Sequence, residues 1–191
     1  ITIFRLQFIN HKIYTMKKVI VAALLLCASQ IQAQETSQNL DVRVGTGISI
    51  LGTGDMLTTV FENELNYKIN NYITGGSSIN FGNSTNGVHK SSSFVQGNLN
   101  LFFSPFKNSV KNDFRIGAGM SYYKINDFKR VSSMNDIYYH NSNRISLGYN
   151  FIIEDSYTFK NKFIIGAKLY TQPYQNGDIN SGFMIKTGLK I

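Results

Sequence analysis

Cysteine, proline and helical periodicity are all scarce in this sequence. Cys27 is the only cysteine, Pro105 and Pro173 are the only prolines, and no segment after residue 34 repeats its apolar residues with a sustained helical period. If the chain is cleaved after Ala33, as proposed below, the mature protein has no cysteine, so disulfides and thiol catalysis are excluded. Both prolines lie between stretches of alternating residues, where turns are expected.

A large excess of charge is also missing. The chain has 19 basic and 11 acidic residues, and its formal net charge is +8. Arg5, Lys12, Lys17 and Lys18 precede residue 34 with no acidic residue among them, so residues 34–191 carry only +4. No basic cluster interleaves with aromatic residues as a nucleic-acid face requires. The sequence therefore predicts no nucleic-acid partner.

Residues Met16–Ala33 have the three parts of a secretory signal peptide. Met16 is followed by two lysines, an apolar run that ends at Cys27, and a small-residue cleavage site before Gln34. The apolar run is shorter than the roughly 20 residues that a transmembrane helix needs. Leu26 stands where a lipoprotein signal has a small residue, which argues against lipid anchoring through Cys27.

We therefore predict an exported protein. Residues 1–15 precede the methionine of the signal peptide and are interpreted as an upstream extension, so residues 1–33 are set apart as extension plus signal peptide. Residues 34–191 are predicted to form one domain, because their length fits a single core.

Residues 34–191 alternate between apolar and polar side chains in eight segments of about ten residues. In one of them, Ile145 and Leu147 alternate with Arg144 and Ser146, which is the period of a β-strand with two different environments. The predicted strands are Leu40–Leu51, Leu57–Ile69, Tyr72–Gly82, Ser93–Phe103, Asp113–Lys124, Asn143–Ile153, Phe159–Gln172 and Ile179–Ile191.

The polar breaks between these strands differ in length. Those after the odd-numbered strands tend to be longer, and the longest is Ile125–Asn141. Glu154–Ser156 is interpreted as one of the short turns. Short turns at one end and longer loops at the other are typical of outer-membrane β-barrels.

A soluble β-sandwich and a narrow barrel both have strands with alternating apolar and polar residues. The glycines on the polar face favour one of these two folds. A soluble β-sandwich would expose its polar face to water, where glycine loses backbone entropy without gaining packing. A narrow barrel has little interior space for side chains, so glycine suits its inner face. We therefore favour a barrel whose apolar face points outward. The glycines assigned to the inner face are Gly45, Gly47, Gly97, Gly117, Gly119, Gly148, Gly166 and Gly188.

Aromatic residues cluster near the predicted strand ends. Two aromatic bands with aliphatic residues between them match the interfacial girdles of a lipid-facing surface, whereas a soluble core would concentrate its aromatics at mid-strand. The band at the short-turn end comprises Tyr67, Tyr72, Phe102, Phe103, Phe106, Phe114, Phe151, Tyr157, Phe159 and Phe163. The band at the opposite end comprises Phe81, Tyr122, Tyr123, Tyr138, Tyr139, Tyr170 and Tyr174.

The last predicted strand raises the question of its partner. It reads SGFMIKTGLKI, with Phe183, Ile185 and Leu189 on one face and Lys186 and Lys190 on the other. In lipid, an open sheet edge would leave backbone N–H and C=O groups unpaired, at several kcal/mol each. We therefore expect the last strand to pair with the first.

With its signal peptide, its eight segments, the turn LNLFFSPFKN and the ending SGFMIKTGLKI, the sequence resembles the small outer-membrane β-barrel domain proteins common in Bacteroidota. It resembles the OmpA/OmpX-type barrels of the porin-like group more distantly. The resemblance covers residues 34–191 and implies an all-β fold, an eight-stranded antiparallel up-and-down transmembrane β-barrel in the cell outer membrane. It also implies contact with outer-membrane lipids and lipopolysaccharide, and recognition by the outer-membrane assembly machinery, although Ile191 replaces the usual final phenylalanine. No single activity follows from it.

An outward apolar face places the charged residues inside the barrel. Buried charges must be paired or hydrated, and we expect Glu62 and Glu64 to pair with Arg43 and Lys186. Such a cluster suits either an ion pathway or a structural plug; the plug is favoured because eight strands leave an interior just wide enough for side chains to fill. The predicted lumen charge network is Arg43, Glu62, Glu64, Arg115, Arg144, Lys168 and Lys186.

An enzyme hypothesis rests on His140, Ser142 and Glu154. Their order resembles the His-x-Ser…Glu constellation of outer-membrane lipid A 3-O-deacylases, in which histidine activates a serine nucleophile and a carboxylate orients the histidine. The predicted topology places the pair and the acid at opposite ends of one strand, far beyond the roughly 3 Å that a triad requires. We therefore predict no catalytic residues.

We predict a monomeric, non-enzymatic barrel with a structural or surface-interaction role, in which Ile125–Asn141 supplies the largest loop. The alternative is a small pore or transporter for small or hydrophobic compounds. Neither function requires a cofactor. His89, Asp136 and His140 lack the spacing of a metal site, so no metal is predicted, and Lys129-Arg130 is interpreted as solvated charge rather than a lipopolysaccharide contact.

Overall fold

The structure is a computed structural model, which describes residues 39–52, 56–86, 90–106, 111–132, 137–160 and 162–191. The side chains of residues 85–90 and 128–141 are not among those described. The predicted signal peptide, Cys27, His89 and Asp136 lie outside the described residues, as do the side chains of Lys129-Arg130 and His140. In the described part of the chain, no helix is both long and apolar enough to cross a membrane.

Within these described ranges, eight antiparallel strands form a closed barrel in chain order. Each strand pairs with the next along the sequence, so every connection is a hairpin. The strands are β1 (Leu40–Gly52), β2 (Met56–Lys68), β3 (Ile73–Asn86), β4 (Lys90–Phe103), β5 (Asn112–Ser132), β6 (Ile137–Phe159), β7 (Phe163–Pro173) and β8 (Ile179–Lys190).

The barrel closes by pairing β1 with β8. The ladder runs without interruption from Asp41 opposite Lys190 to Gly52 opposite Ile179. The backbone groups of both strands are therefore paired along their whole length, and the expected closure between the first and last strands is confirmed.

Alternate residues of each strand point to opposite sides of the wall. Most outward positions are apolar, and Leu99 and Ile185 are 69% and 57% exposed, while inward Glu62 is fully buried. This arrangement reverses that of a soluble protein, because charge lies inside and hydrocarbon outside. The predicted direction of the faces is confirmed.

β5 and β6 are longer than predicted. They pair continuously up to Ser132 opposite Ile137, so most of the segment Ile125–Asn141 is a hairpin rather than a loop. β6 also continues through Glu154–Ser156 to Phe159. Both segments are polar, but hydrogen bonds to an adjacent strand hold them in the ladder regardless of side-chain polarity.

Among the side chains that the structure describes, five residues face the side opposite to the predicted one. Gly97 points outward, whereas Phe102, Tyr123, Tyr170 and Tyr174 are buried inside rather than placed in a girdle. Strict alternation explains the difference, because the neighbouring residue in each strand already occupies the other face.

Candidate functional site

The two ends of the barrel are different. The terminal end holds Leu40 of β1 and Lys190 of β8 together with the turns β2–β3, β4–β5 and β6–β7. The loop end holds the remaining connections, and there β5 and β6 rise beyond β7, which pairs with β6 only from Phe151 to Phe159. Between these ends the inward side chains form three layers across the lumen.

The layer nearest the terminal end is ionic, and all its members are buried. Several of its ion pairs join strands three steps apart around the barrel, so these pairs cross the lumen. Arg115 on β5 lies 2.8 Å from Glu64 on β2, and Lys168 Nζ on β7 lies 2.6 Å from Glu62 Oε1. We call this set the ionic layer: Arg43, Glu62, Glu64, Arg115, Glu154, Lys168 and Lys186.

Glu154 belongs to the ionic layer, although its polar neighbourhood in the sequence predicted a turn. Its carboxylate accepts hydrogen bonds from Arg43, from Arg115 at 2.9 Å and from Lys186 at 3.1 Å. It therefore joins β1, β5 and β8 to β6. Counting alternate positions from inward Asn150 would have placed Glu154 inside.

The expected pairing of Glu62 and Glu64 is met in part. Lys186 Nζ lies 2.6 Å from Glu64 Oε2 and 3.4 Å from Glu62 Oε2. Arg43 instead pairs with Glu154 and, at 2.8 Å, with Asp41. Three acidic and four basic side chains thus neutralise most of one another's charge inside the barrel.

An aromatic ring packs under the ionic layer. The Arg115 guanidinium carbon lies 3.9 Å from the ring centre of Phe102, a cation–π arrangement. A Cβ placed on Gly76 or Gly117 would lie within 2.8 Å of this ring. These glycines leave the space that the inward phenylalanine fills.

The middle layer consists of amides and hydroxyls, and it too spans the lumen. Gln96 on β4 donates to Gln172 on β7 over 2.6 Å, and Asn180 on β8 donates to Gln96 over 3.3 Å. β4 and β8 lie on opposite sides of an eight-stranded barrel, so these side chains reach across its full width. The amide layer is Ser78, Gln96, Asn98, Asn100, Ser121, Asn150, Gln172 and Asn180.

The layer nearest the loop end is apolar and aromatic. Phe94 lies opposite Ile125, and a Cβ on Gly82 would overlap the Phe94 ring. The ring centres of Tyr123 and Tyr174 lie 4.0 Å apart. The sequence pattern did not predict this layer. Its buried side chains are Leu51, Met56, Phe94, Tyr123, Ile125 and Tyr174.

Arg144 belongs to this loop end and not to the ionic layer. It lies 2.5 Å from Asp127 on β5 and 3.0 Å from Asp178 in the β7–β8 connection. Its side chain is 37% exposed, so solvent reaches the outer edge of this cluster. The structure therefore brings six of the seven predicted network residues together and leaves Arg144 in a separate cluster.

The proposed catalytic triad is not formed. Ser142 and Glu154 lie on the same continuous strand, β6, and are separated along it by roughly 40 Å at the usual rise per residue. Glu154 is occupied by three cations in the ionic layer. It cannot orient a histidine beside Ser142.

No family model matches the chain, and no curated protein matches it. Among solved structures, Ail, the attachment invasion locus protein of Yersinia pestis, has a TM-score of 0.56 at 14% identity, over 78% of this chain and 96% of that chain. Neisserial surface protein A has a TM-score of 0.61 at 9% identity, over 80% and 96%. The outer membrane protein OprG from Pseudomonas aeruginosa has a TM-score of 0.54 at 10% identity, over 80% and 94%. These likenesses show the fold, an eight-stranded antiparallel barrel shared with outer-membrane proteins.

Proposed function

We propose that this chain is a non-enzymatic integral protein of the outer membrane with a side-chain-filled lumen and a structural or surface-interaction role. One observation carries the proposal: every strand presents large apolar side chains outward. Examples are Leu57, Leu99 and Met120, each at least 60% exposed. Soluble monomers rarely expose apolar patches beyond a few hundred Å², whereas a transmembrane barrel requires an apolar band.

Outer-membrane lipids and lipopolysaccharide are the partners that this surface fits. The similar structures include outer-membrane barrels, which supports the same location, and the sequence pattern supports export and a place among the small barrels common in Bacteroidota. Cell fractionation tests the location: the protein is expected in the outer-membrane fraction, resistant to carbonate extraction. Recovery in the soluble periplasmic fraction would contradict the proposal.

The three lumen layers support a closed rather than conducting barrel. The ionic and amide layers each contain contacts that join opposite walls, such as Lys168 to Glu62 and Asn180 to Gln96. The loop-end layer adds apolar side chains that disfavour a continuous file of water. Planar-bilayer recording is expected to show no stable open-channel steps, and regular steps from the wild-type protein would favour the pore alternative.

The β5–β6 hairpin supports a surface-interaction role. It extends beyond β7 at the loop end, and one similar barrel, Ail, is named as an attachment invasion locus protein. Replacing Lys129–His140 by Asn-Gly shortens the hairpin while keeping Asp127 opposite Ser142, because a two-residue turn preserves the register.

Cells that carry the shortened hairpin are expected to lose binding to surfaces or resistance to serum. The control variant is Asn71→Gly, which alters a turn at the terminal end. Unchanged binding and serum survival after shortening would contradict the surface-interaction role, and only the structural role would remain.

A further inference from the structure

The β7–β8 connection does not continue the wall upward but folds against β6. Tyr174 forms a bridge with Gly148, and the Gln175 amide donates to the Leu147 carbonyl over 2.9 Å. Gly177 turns the chain with a φ of +86°, a conformation that glycine adopts readily. We call residues 174–178 the lid loop.

Two side chains of the lid loop enter the lumen. The Tyr174 hydroxyl lies 3.1 Å from Ser121 Oγ, so this ring reaches the amide layer from above. The Asp178 carboxylate accepts hydrogen bonds from Tyr123 and, over 2.8 Å, from Asn176. Both Tyr174 and Asp178 are buried, although the residues between them are exposed.

A small cluster of polar side chains holds this arrangement, and we call it the latch: Ser92, Tyr123, Asp127, Arg144 and Asp178. Arg144 bridges Asp178 of the lid loop and Asp127 of β5, and Asp127 in turn accepts from Ser92 of β4 over 2.6 Å. The lid loop is thus tied to β4, β5 and β6 by polar contacts at a partly wet rim. The ionic layer, in contrast, is buried and joined by many more ion pairs.

We propose that the lid loop is a hinged cover over the amide layer, held shut by Asp178 and opened from the loop end while the ionic layer stays closed. The proposal rests on the proposed function, because a surface-interaction role places the loop end on the accessible side of the membrane. Opening exposes polar groups that water can satisfy, among them the Oδ1 atoms of Asn80 and Asn150, which have no hydrogen-bond partner among the described residues.

Thiol accessibility tests the cover in the folded full chain, reconstituted in phospholipid vesicles and carrying Cys27→Ser. Ser121→Cys places a reporter directly beneath Tyr174. A small cationic methanethiosulfonate reagent is expected to label this cysteine slowly, and Asp178→Asn is expected to raise the rate about tenfold or more, since a buried charged hydrogen-bond partner is lost. Tyr123→Phe is a milder variant should Asp178→Asn fail to fold.

Two controls make the result specific. Gln175→Ala changes an exposed side chain of the same lid loop and is expected to leave the labelling rate unchanged. Ser156→Cys reports on the terminal end, and its rate is expected to stay constant in the Asp178→Asn background. Fast labelling of Ser121→Cys without any latch variant, no acceleration by either latch variant, or equal acceleration at both reporters would overturn the lid. Channel steps or a soluble location would instead overturn the proposed function, whatever the labelling rates.

Discussion

At the scale of single residues, Glu154 pairs with three basic side chains of the ionic layer, as many as Glu64 does. Replacing it by glutamine would leave Arg43, Arg115 and Lys186 buried with one fewer anion among them. Removing one partner from a buried ion pair typically destabilises a protein by about 3–5 kcal/mol. We expect Glu154→Gln to lower the free energy of unfolding by that amount, measured by urea titration of the protein in lipid vesicles.

The adjacent carboxylate provides a matched control. Asp155 is exposed on the outer face of β6, and Asp155→Asn removes the same charge one position along the chain. Surface substitutions usually change stability by less than about 0.5 kcal/mol. Equal losses from the two variants would show that the ionic layer does not carry the stability assigned to it.

Glu154 also shows what a sequence can disclose at this scale. The face of each residue follows from alternation, and the inward positions of Arg43, Glu62 and Lys168 were predicted in this way. Glu154 was assigned to a turn because Glu-Asp-Ser is a polar run, which is typical of a strand end. Two of its partners, Arg43 and Lys186, lie on strands that do not neighbour β6, so no local pattern could pair it with them.

At the scale of strands, the outward face of β4 should report the depth of the bilayer. Leu99 lies near the middle of the strand and Ser93 near its loop end, both on the outer face. Lysine at the midplane of a barrel costs about 2–4 kcal/mol, and about 0–1 kcal/mol near the interface. Leu99→Lys is therefore expected to destabilise the protein far more than Ser93→Lys in vesicle unfolding titrations; equal effects would contradict a lipid-facing wall.

Two glycines on neighbouring strands, one on each face of the wall, differ in how much space surrounds them. A Cβ on Gly119 would overlap the Leu99 carbonyl and Asn100, whereas a Cβ on Gly97 meets nothing within 4 Å. Overpacking typically costs about 1–3 kcal/mol, while alanine in place of an unhindered glycine gains up to about 1 kcal/mol. Thermal unfolding should therefore rank Gly97→Ala at or above wild type and Gly119→Ala below it; the reverse order would refute the assigned faces.

The β5–β6 hairpin marks the limit of strand prediction. Alternation predicted where both strands lie in the wall, since there one face meets an apolar environment. Beyond Ile125 and Arg144 the pattern fades, because neither face is required to be apolar. Backbone pairing continues nevertheless to Ser132 and Ile137. Backbone hydrogen bonds of this kind cannot be predicted from the pattern of side-chain polarity.

At the scale of the whole molecule, closure determines which side chains meet. The eight strands, their order and the contact between first and last could be predicted, because each follows from periodicity and from the need to pair every backbone group. The three layers could not be, because cross-lumen partners such as Gln96 and Asn180 depend on the stagger of all eight strands. The loop-end apolar layer shows the same limit, since Phe94 and Ile125 fill space that only the closed barrel creates.

Closure itself can be tested with a cysteine pair across the seam between β1 and β8. Val44 lies opposite Thr187, and residues directly opposite in an antiparallel pair have Cβ atoms close enough for a disulfide. In a Cys27→Ser background, Val44→Cys with Thr187→Cys is expected to oxidise in the folded protein. The cross-link encloses almost the entire barrel, so it is expected to stabilise by about 4 kcal/mol and to raise the temperature at which the folded band unfolds on gels.

A register control decides whether such a bond reports the seam or mere proximity. Lys186 precedes Thr187 but points into the lumen, where it contacts Glu64. Because a shift of one residue reverses the face of a side chain, Val44→Cys with Lys186→Cys places the two thiols on opposite sides of the wall. Peptide mass spectrometry is expected to find the linked pair only for residues 44 and 187. A bond at 186 would mean that β1 and β8 pair in a register shifted by one residue. A bond at neither position would mean that they do not meet, and the barrel would then have an open edge that hydrocarbon does not tolerate.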